Sequence, residues 1–195
     1  MIKRISKWLA AAALVLPMAS HASILQFNAS LSAANEVTAP NSFIAGAAGV
    51  ASLFYDTVAN TYNFSLFAFG LSSALTGAHI HAQANTTQNA PVRVALDAAP
   101  FTMFTAPGLL SIGGGNIAAP VGLIPAGNAN LAQSFLAVLQ AHNAYINVHT
   151  TTNPSGEIRG QLFQVAIVPE LETYAMFLAG LGLFGVIGMR RKSQV

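Results

Sequence analysis

The chain has 195 residues, no cysteine and a formal net charge of +2 at pH 7. Six of its eight Lys and Arg residues sit at the ends (Lys3, Arg4, Lys7, Arg190, Arg191, Lys192), so between Ser23 and Val168 only Arg93 and Arg159 oppose Glu36, Asp56, Asp97 and Glu157. A weakly acidic middle without a basic face excludes nucleic-acid binding, and the lack of cysteine excludes disulfide support, leaving burial and hydrogen bonding to hold one domain together.

The chain opens with MIKRISKWLAAAALVLPMASHA: basic residues, then an apolar run from Trp8 to Leu16, then Ser20-His21-Ala22 with small residues at the cleavage-determining positions. This is the pattern of a secretory signal peptide covering residues 1–22, with cleavage expected after Ala22. The apolar run is about half the roughly 20 residues that a membrane-spanning helix needs.

Residues 23–168 are read as one domain. Apolar and polar residues alternate in Ile24 to Leu31 and in Tyr62 to Leu66, the period of strands with one buried face. Asp56 to Thr61 separates Leu53-Phe54-Tyr55 from the Tyr62 run and predicts a hairpin turn. Further strands are predicted at Ala78 to Gln83, Val92 to Leu96, Ala144 to Thr150 and Glu157 to Val165. The stretch Ser111 to Gly127, SIGGGNIAAPVGLIPAG, is dense in glycine and proline and predicts a long loop. Asn130 then caps a helix whose Leu131, Phe135, Val138 and Leu139 form one buried stripe. The fold class that follows is all-β: an antiparallel Ig-like or Greek-key β-sandwich with one short helix, a closed barrel being the runner-up.

From Tyr174 to Met189 the chain carries no charge before Arg190-Arg191-Lys192. As a helix this run is roughly 24 Å long, against a hydrocarbon core of roughly 30 Å, and the basic cluster would lie on the cytoplasmic side. Residues 169–195 resemble the PEP-CTERM sorting signal: Pro169-Glu170, a short hydrophobic helix, and Arg190-Arg191 at the end, with Leu171 where the family usually has a second proline. The resemblance implies an inner-membrane precursor anchored by its C-terminal helix. It also implies an exosortase-type membrane protease as partner, release to the cell surface or medium, and a link to exopolysaccharide. The plain alternative is a permanent single-pass anchor.

Two of the five histidines stand one residue apart in GAHIHAQA. In an extended strand His79 and His81 leave the same face roughly 6.6 Å apart. In AYINVHT, Tyr145, Asn147 and His149 likewise share a face, so His149 is the candidate third ligand. Three imidazoles with an open position suit copper or zinc. The plain reading of the same pattern is a polar strand face that meets solvent. His142 lies near the predicted helix C-terminus, where a cation is favoured without any ligand role.

Asn153-Pro154-Ser155-Gly156 predicts a tight turn. Glu157 and Arg159 follow on one strand face, as a register-fixing ion pair or with the carboxylate near the histidines. Arg93 is a second candidate partner for Asp97 or Glu157. No nucleophile elbow, no cysteine and no close pair of acids is present, so the reading leans away from an enzyme.

Leu31-Ser32-Ala33-Ala34-Asn35-Glu36-Val37, Gly77-Ala78-His79-Ile80-His81, Tyr145-Ile146-Asn147-Val148-His149-Thr150 and Gly156-Glu157-Ile158-Arg159-Gly160-Gln161 together resemble the CHRD domain, over roughly Phe27 to Phe163 and in the family's order. The resemblance implies a β-rich extracellular module with Asn147, Thr150, Glu157 and Arg159 as motif residues. More distantly, Gly77, His79, His81 and Val148-His149 are similar to the copper-holding segments of Cu/Zn superoxide dismutase. The bridging histidine and the disulfide cysteines of that family have no counterpart here, so dismutase activity is not expected. The expectation is therefore an exported bacterial surface or matrix component acting by binding. The rival is a metal-dependent redox or hydrolytic protein centred on His79, His81 and His149.

Overall fold

The computed structural model describes residues 24–41, 46–122 and 133–166. The signal segment 1–22 and the tail 169–195, with Pro169, Glu170, Arg190 and Arg191, lie outside the described residues. Among the described residues no helix is long and apolar enough to cross a membrane.

In chain order the elements are β1 (Ile24–Ser32), a 3-10 turn (Ala33–Asn35), β2 (Ala48–Asp56), β3 (Thr61–Phe69), β4 (Leu75–Ala82), β5 (Val92–Ala95), β6 (Thr102–Ala106) and β7 (Leu109–Ala118). There follow α1 (Phe135–Gln140), β8 (Ala144–Thr150), β9 (Ile158–Gln161) and β10 (Phe163–Val165). The strands run antiparallel in the order β5-β4-β8-β9-β1-β2-β3-β7-β6, with β10 also paired to β1. The sheet curls so that the β5-β4-β8-β9 limb faces the β1-β2-β3-β7-β6 limb across a single core, giving the expected all-β sandwich. Among the described residues β5 and β6 end the sheet without pairing to each other, so it is not a closed barrel.

Period-two alternation builds that core. In β2, Ala51, Leu53 and Tyr55 are buried while Val50 and Phe54 face out; in β3, Tyr62, Phe64, Leu66 and Ala68 are buried. Each fully buried large apolar side chain contributes about 1.5–3 kcal/mol. The predicted β2–β3 hairpin forms because Asp56 Oδ1 accepts from the N–H groups of Val58 and Ala59, at 2.8 and 2.9 Å, and Asn60 takes a positive φ of 53°.

Three expectations are corrected. The glycine-rich stretch from Ser111 is not a loop as far as Ala118: it is all of β7 but its first two residues. β7 lies between β3 and β6, so its backbone bonds on both sides, while Leu110, Ile112 and Ile117 supply the buried face. The helix begins at Phe135, with Ser134 as N-cap, its Oγ accepting from the Ala137 N–H at 3.2 Å; Asn130 and Leu131 lie outside the described residues. The predicted strand Glu157 to Val165 is broken at Leu162, whose fully buried side chain joins the core, and becomes β9 and β10.

Candidate metal centre

Ala78, Ile80 and Ala82 of β4 and Ala144, Ile146 and Val148 of β8 enter the core. One residue step along each strand therefore puts His79, His81, Tyr145, Asn147 and His149 on the opposite face. Register completes a polar grid: Gly77 opposes His149, His79 opposes Asn147 and His81 opposes Tyr145, while Asn147 and Tyr145 oppose Arg159 and Gln161 of β9.

Most of this face is shielded from solvent, against the plain reading of its sequence, with only His79 and His149 partly exposed. His81 is 8% exposed, Asn147 3% and Arg159 1%. The Asn85–Pro91 segment covers it: Ala90 bonds to Tyr145, and Arg159 reaches Asn89 Oδ1 and the Asn85 carbonyl at 3.0 and 2.7 Å. The turn before β9 and the Glu36 side chain close the other side, Glu36 Oε2 accepting from Asn147 Nδ2 at 3.3 Å.

Inside the cover the three imidazoles converge. One ring nitrogen from each of His79, His81 and His149 lies within 4.8 Å of the others. Hydrogen bonding fixes which nitrogens are free. His81 Nδ1 sits 2.8 Å from the Ala90 carbonyl and His149 Nδ1 sits 3.1 Å from the Pro154 carbonyl. A carbonyl only accepts, so both Nδ1 atoms carry hydrogen and both Nε2 atoms hold a lone pair. His79 points the other way, its Nε2 4.0 Å from Asp97 Oδ1. The remaining nitrogens, His79 Nδ1, His81 Nε2 and His149 Nε2, are all buried without a hydrogen-bond partner. A single buried orphan is uncommon, and here three ring nitrogens are orphaned in one cluster, two of them, on His81 and His149, fixed as acceptors by the hydrogen bonds of their Nδ1 atoms.

Burial pushes His81 down to about 4, opposed by its bond to Ala90 and reinforced by the neighbouring imidazoles, and it also lowers His149. Both are therefore neutral, as ligands must be. Gly77 makes room for the His79 ring: a Cβ there would lie 2.7 Å from His79 Cε1. Metal–nitrogen bonds of about 2.0–2.1 Å put tetrahedral ligands roughly 3.3 Å apart, so small ring movements would close the set around one ion. Three imidazoles without thiolate or carboxylate are a donor set that would suit zinc or copper, and the cluster is partly exposed on the side of His79 and His149.

The motif residues divide into two groups. Asn147 and Arg159 stand on the histidine face. Thr150 and Glu157 instead build the turn: Glu157 accepts from the Ser72 N–H and hydroxyl, both at 2.7 Å, and from Thr150 Oγ1 at 2.6 Å. The expected Glu157–Arg159 ion pair does not form: Glu157 is engaged by Ser72 and Thr150 in the turn while Arg159 is held on the histidine face, so Glu157 does not serve near the histidines either. Among the described residues the one ion-pair distance is His79–Asp97, so Arg93 pairs with neither Asp97 nor Glu157. Arg159 is held by neutral acceptors and by the Tyr145 ring, 3.5 Å beneath its guanidinium carbon. The sequence did not assign Tyr145, Glu36 or the Asn85–Pro91 cover to the site; the shared strand face of Tyr145 with His149, and the place of Tyr145 and Glu36 in the CHRD-like blocks, were the available signals.

A CHRD domain model matches residues 27–162, from β1 to the end of β9, all three histidines included. No curated protein and no solved structure matches the chain. The match covers well over half of the sequence, and the chain belongs to the CHRD domain family.

Proposed function

We propose that this CHRD domain binds one copper or zinc ion through His79 Nδ1, His81 Nε2 and His149 Nε2. The observation that carries this reading is the convergence of three imidazoles, each with a buried ring nitrogen that no protein group hydrogen-bonds. The carbonyls of Ala90 and Pro154 orient the His81 and His149 rings from behind, the usual outer-shell arrangement of metal-bound histidine, and Asp97 lies 4.0 Å from His79 Nε2. Bound there with an open position, zinc would polarise a water or carbonyl oxygen and copper would exchange an electron. The chain's own contribution is to hold three ring nitrogens together in a cavity open on one side.

The test is titration of the purified protein with copper or zinc salts, followed by calorimetry and elemental analysis. One ion per chain is expected, with loss of that binding in His79→Ala, His81→Ala and His149→Ala. Binding that survives all three replacements would sink the reading.

We also infer export, with the signal-like segment 1–22 and the PEP-CTERM-like tail as address labels and the domain working at the surface or in an exopolysaccharide matrix. The support is in the sequence at both ends and in the domain's family. Cell fractionation with and without residues 169–195 tests it; full-length protein retained uncleaved in the inner membrane would make the tail a simple anchor.

A further inference from the structure

The limb of the sandwich that carries β2, β3, β7 and β6 turns its second face away from the core and away from the histidines. Register sets Phe69 beside Leu109 in one row across this face, and Val50, Phe67 and Phe104 in the next, with Ser111 between the two phenylalanines. These side chains are open: Phe104 is 64% exposed, Val50 60%, and Phe67 and Phe69 45% each, with the last two rings 6.2 Å apart. The row below consists of serine, threonine and glycine, and the one charged residue on the outer faces of these four strands is Asp56, at the far end of β2.

We infer that this face is the contact between two copies of the chain. Exposed halves of aromatic side chains of about 200 Å² each, with Val50 and Leu109, amount to an apolar area on the order of 500 Å², at the upper end of what monomers leave open. Two copies would bury on the order of 1,000 Å² from these side chains alone, the threshold of a specific interface, before the polar row is counted. Lack of charge is what selects a second copy. A stripe without ionic handles meets itself across a two-fold axis without repulsion, and interfaces between identical chains are the more apolar class. Ser111 between Phe67 and Phe104 leaves a groove for the partner's rings, and two such faces stack about 10 Å apart like the layers of a sandwich. Pairing this way leaves both histidine clusters on the outside of the dimer.

Sedimentation of the full-length protein over a wide concentration range tests the inference. Wild type is expected at twice the chain mass, dissociating on dilution. Ser111→Arg, which puts a charge at the centre of the face without touching the core, is expected to raise the dissociation constant at least about 30-fold with an unchanged far-UV spectrum and melting temperature. Phe67→Asp should behave alike, and mixing it with Phe67→Lys should restore dimers. A wild type that stays at the chain mass throughout overturns the inference, as does a dimer indifferent to Ser111→Arg. A monomer whose retention on a polysaccharide matrix or on vesicles is lost in Phe67→Asp would also overturn it and assign the face to that occupant.

Discussion

His81 and Tyr145 stack face to face, their ring planes 5° apart and their centroids 4.9 Å apart. Arg159 approaches the same tyrosine from the strand on the other side, 3.5 Å from its centroid. Ala90 ties the column together, its carbonyl accepting from His81 Nδ1 and its N–H donating to the Tyr145 hydroxyl at 3.0 Å. With one edge and one face fixed, the His81 ring has its Nε2 aimed before any ligand arrives.

Replacing Tyr145 separates the two constraints. Tyr145→Phe keeps the stack but leaves the Ala90 N–H without its acceptor, an expected loss of about 1–2 kcal/mol in stability with metal affinity within a few-fold of wild type. Tyr145→Ala removes the stack and is expected to weaken copper or zinc binding about 10–100-fold. Calorimetric titration together with thermal melts checks both. Unchanged affinity in a folded Tyr145→Ala would show that the stack plays no part in aiming His81.

Gly77→Ala probes the other end of the cluster. The added Cβ would lie 2.7 Å from His79 Cε1 and 3.2 Å from its Nε2. These atoms end a side chain that can swing outward, so the fold should survive with a small change in melting temperature. The same swing withdraws His79 Nδ1 from the other two nitrogens, so metal affinity should fall at least about 10-fold. Wild-type affinity in this variant would place His79 outside the ligand set.

The sandwich and the meeting of the three imidazoles were legible because period two carries both. Ala78, Ile80 and Ala82 mark the core face of β4, so His79 and His81 have to leave together, and the same logic places His149 with Tyr145 and Asn147. Burial of that outer face was not legible, because the cover arrives from residues 85–91, from Glu36 and from the turn before β9, all distant in sequence from at least one of the strands they cover. β7 was misread for a related reason. Glycine at positions 113–115 carries no side chain to show alternation, and the ladders to β3 and β6 that hold it straight are tertiary facts. The Leu110-x-Ile112 pair was the available clue.

His81 makes stability of the metal-free protein depend on pH. Its folded value is about 4 against an ordinary 6.5, so between these the unfolded chain binds the proton and the folded chain does not. Stability from this group is therefore full above pH 6.5 and declines as pH falls towards 4, by about 3 kcal/mol in total. Urea midpoints measured across this range should show a flatter dependence in His81→Gln than in wild type. Parallel curves would mean that His81 titrates normally.

Glu36 contributes with the opposite sign, and its geometry says why. Its Oε2 accepts from Asn147 Nδ2, while Glu36 Oε1 and Asn147 Oδ1 are both buried without a donor. Both oxygens also lie 2.6 Å from the point where a Cβ on Gly156 would stand, so they face one small space. A proton on the carboxyl group satisfies the pair, closing an acid–amide ring. Burial raises Glu36 to about 7, against the opposing pull of Arg159 and the Asn147 bond. Between 4.5 and 7 the folded chain thus holds a proton that the unfolded chain has lost, and stability falls as pH rises through that window. Glu36→Gln supplies the missing N–H donor at every pH, so its advantage over wild type should be absent below about pH 4.5 and grow to a plateau above about 7. A difference that stays constant from pH 4 to 8 would mean that Glu36 is ionised throughout and that another donor serves Asn147 Oδ1.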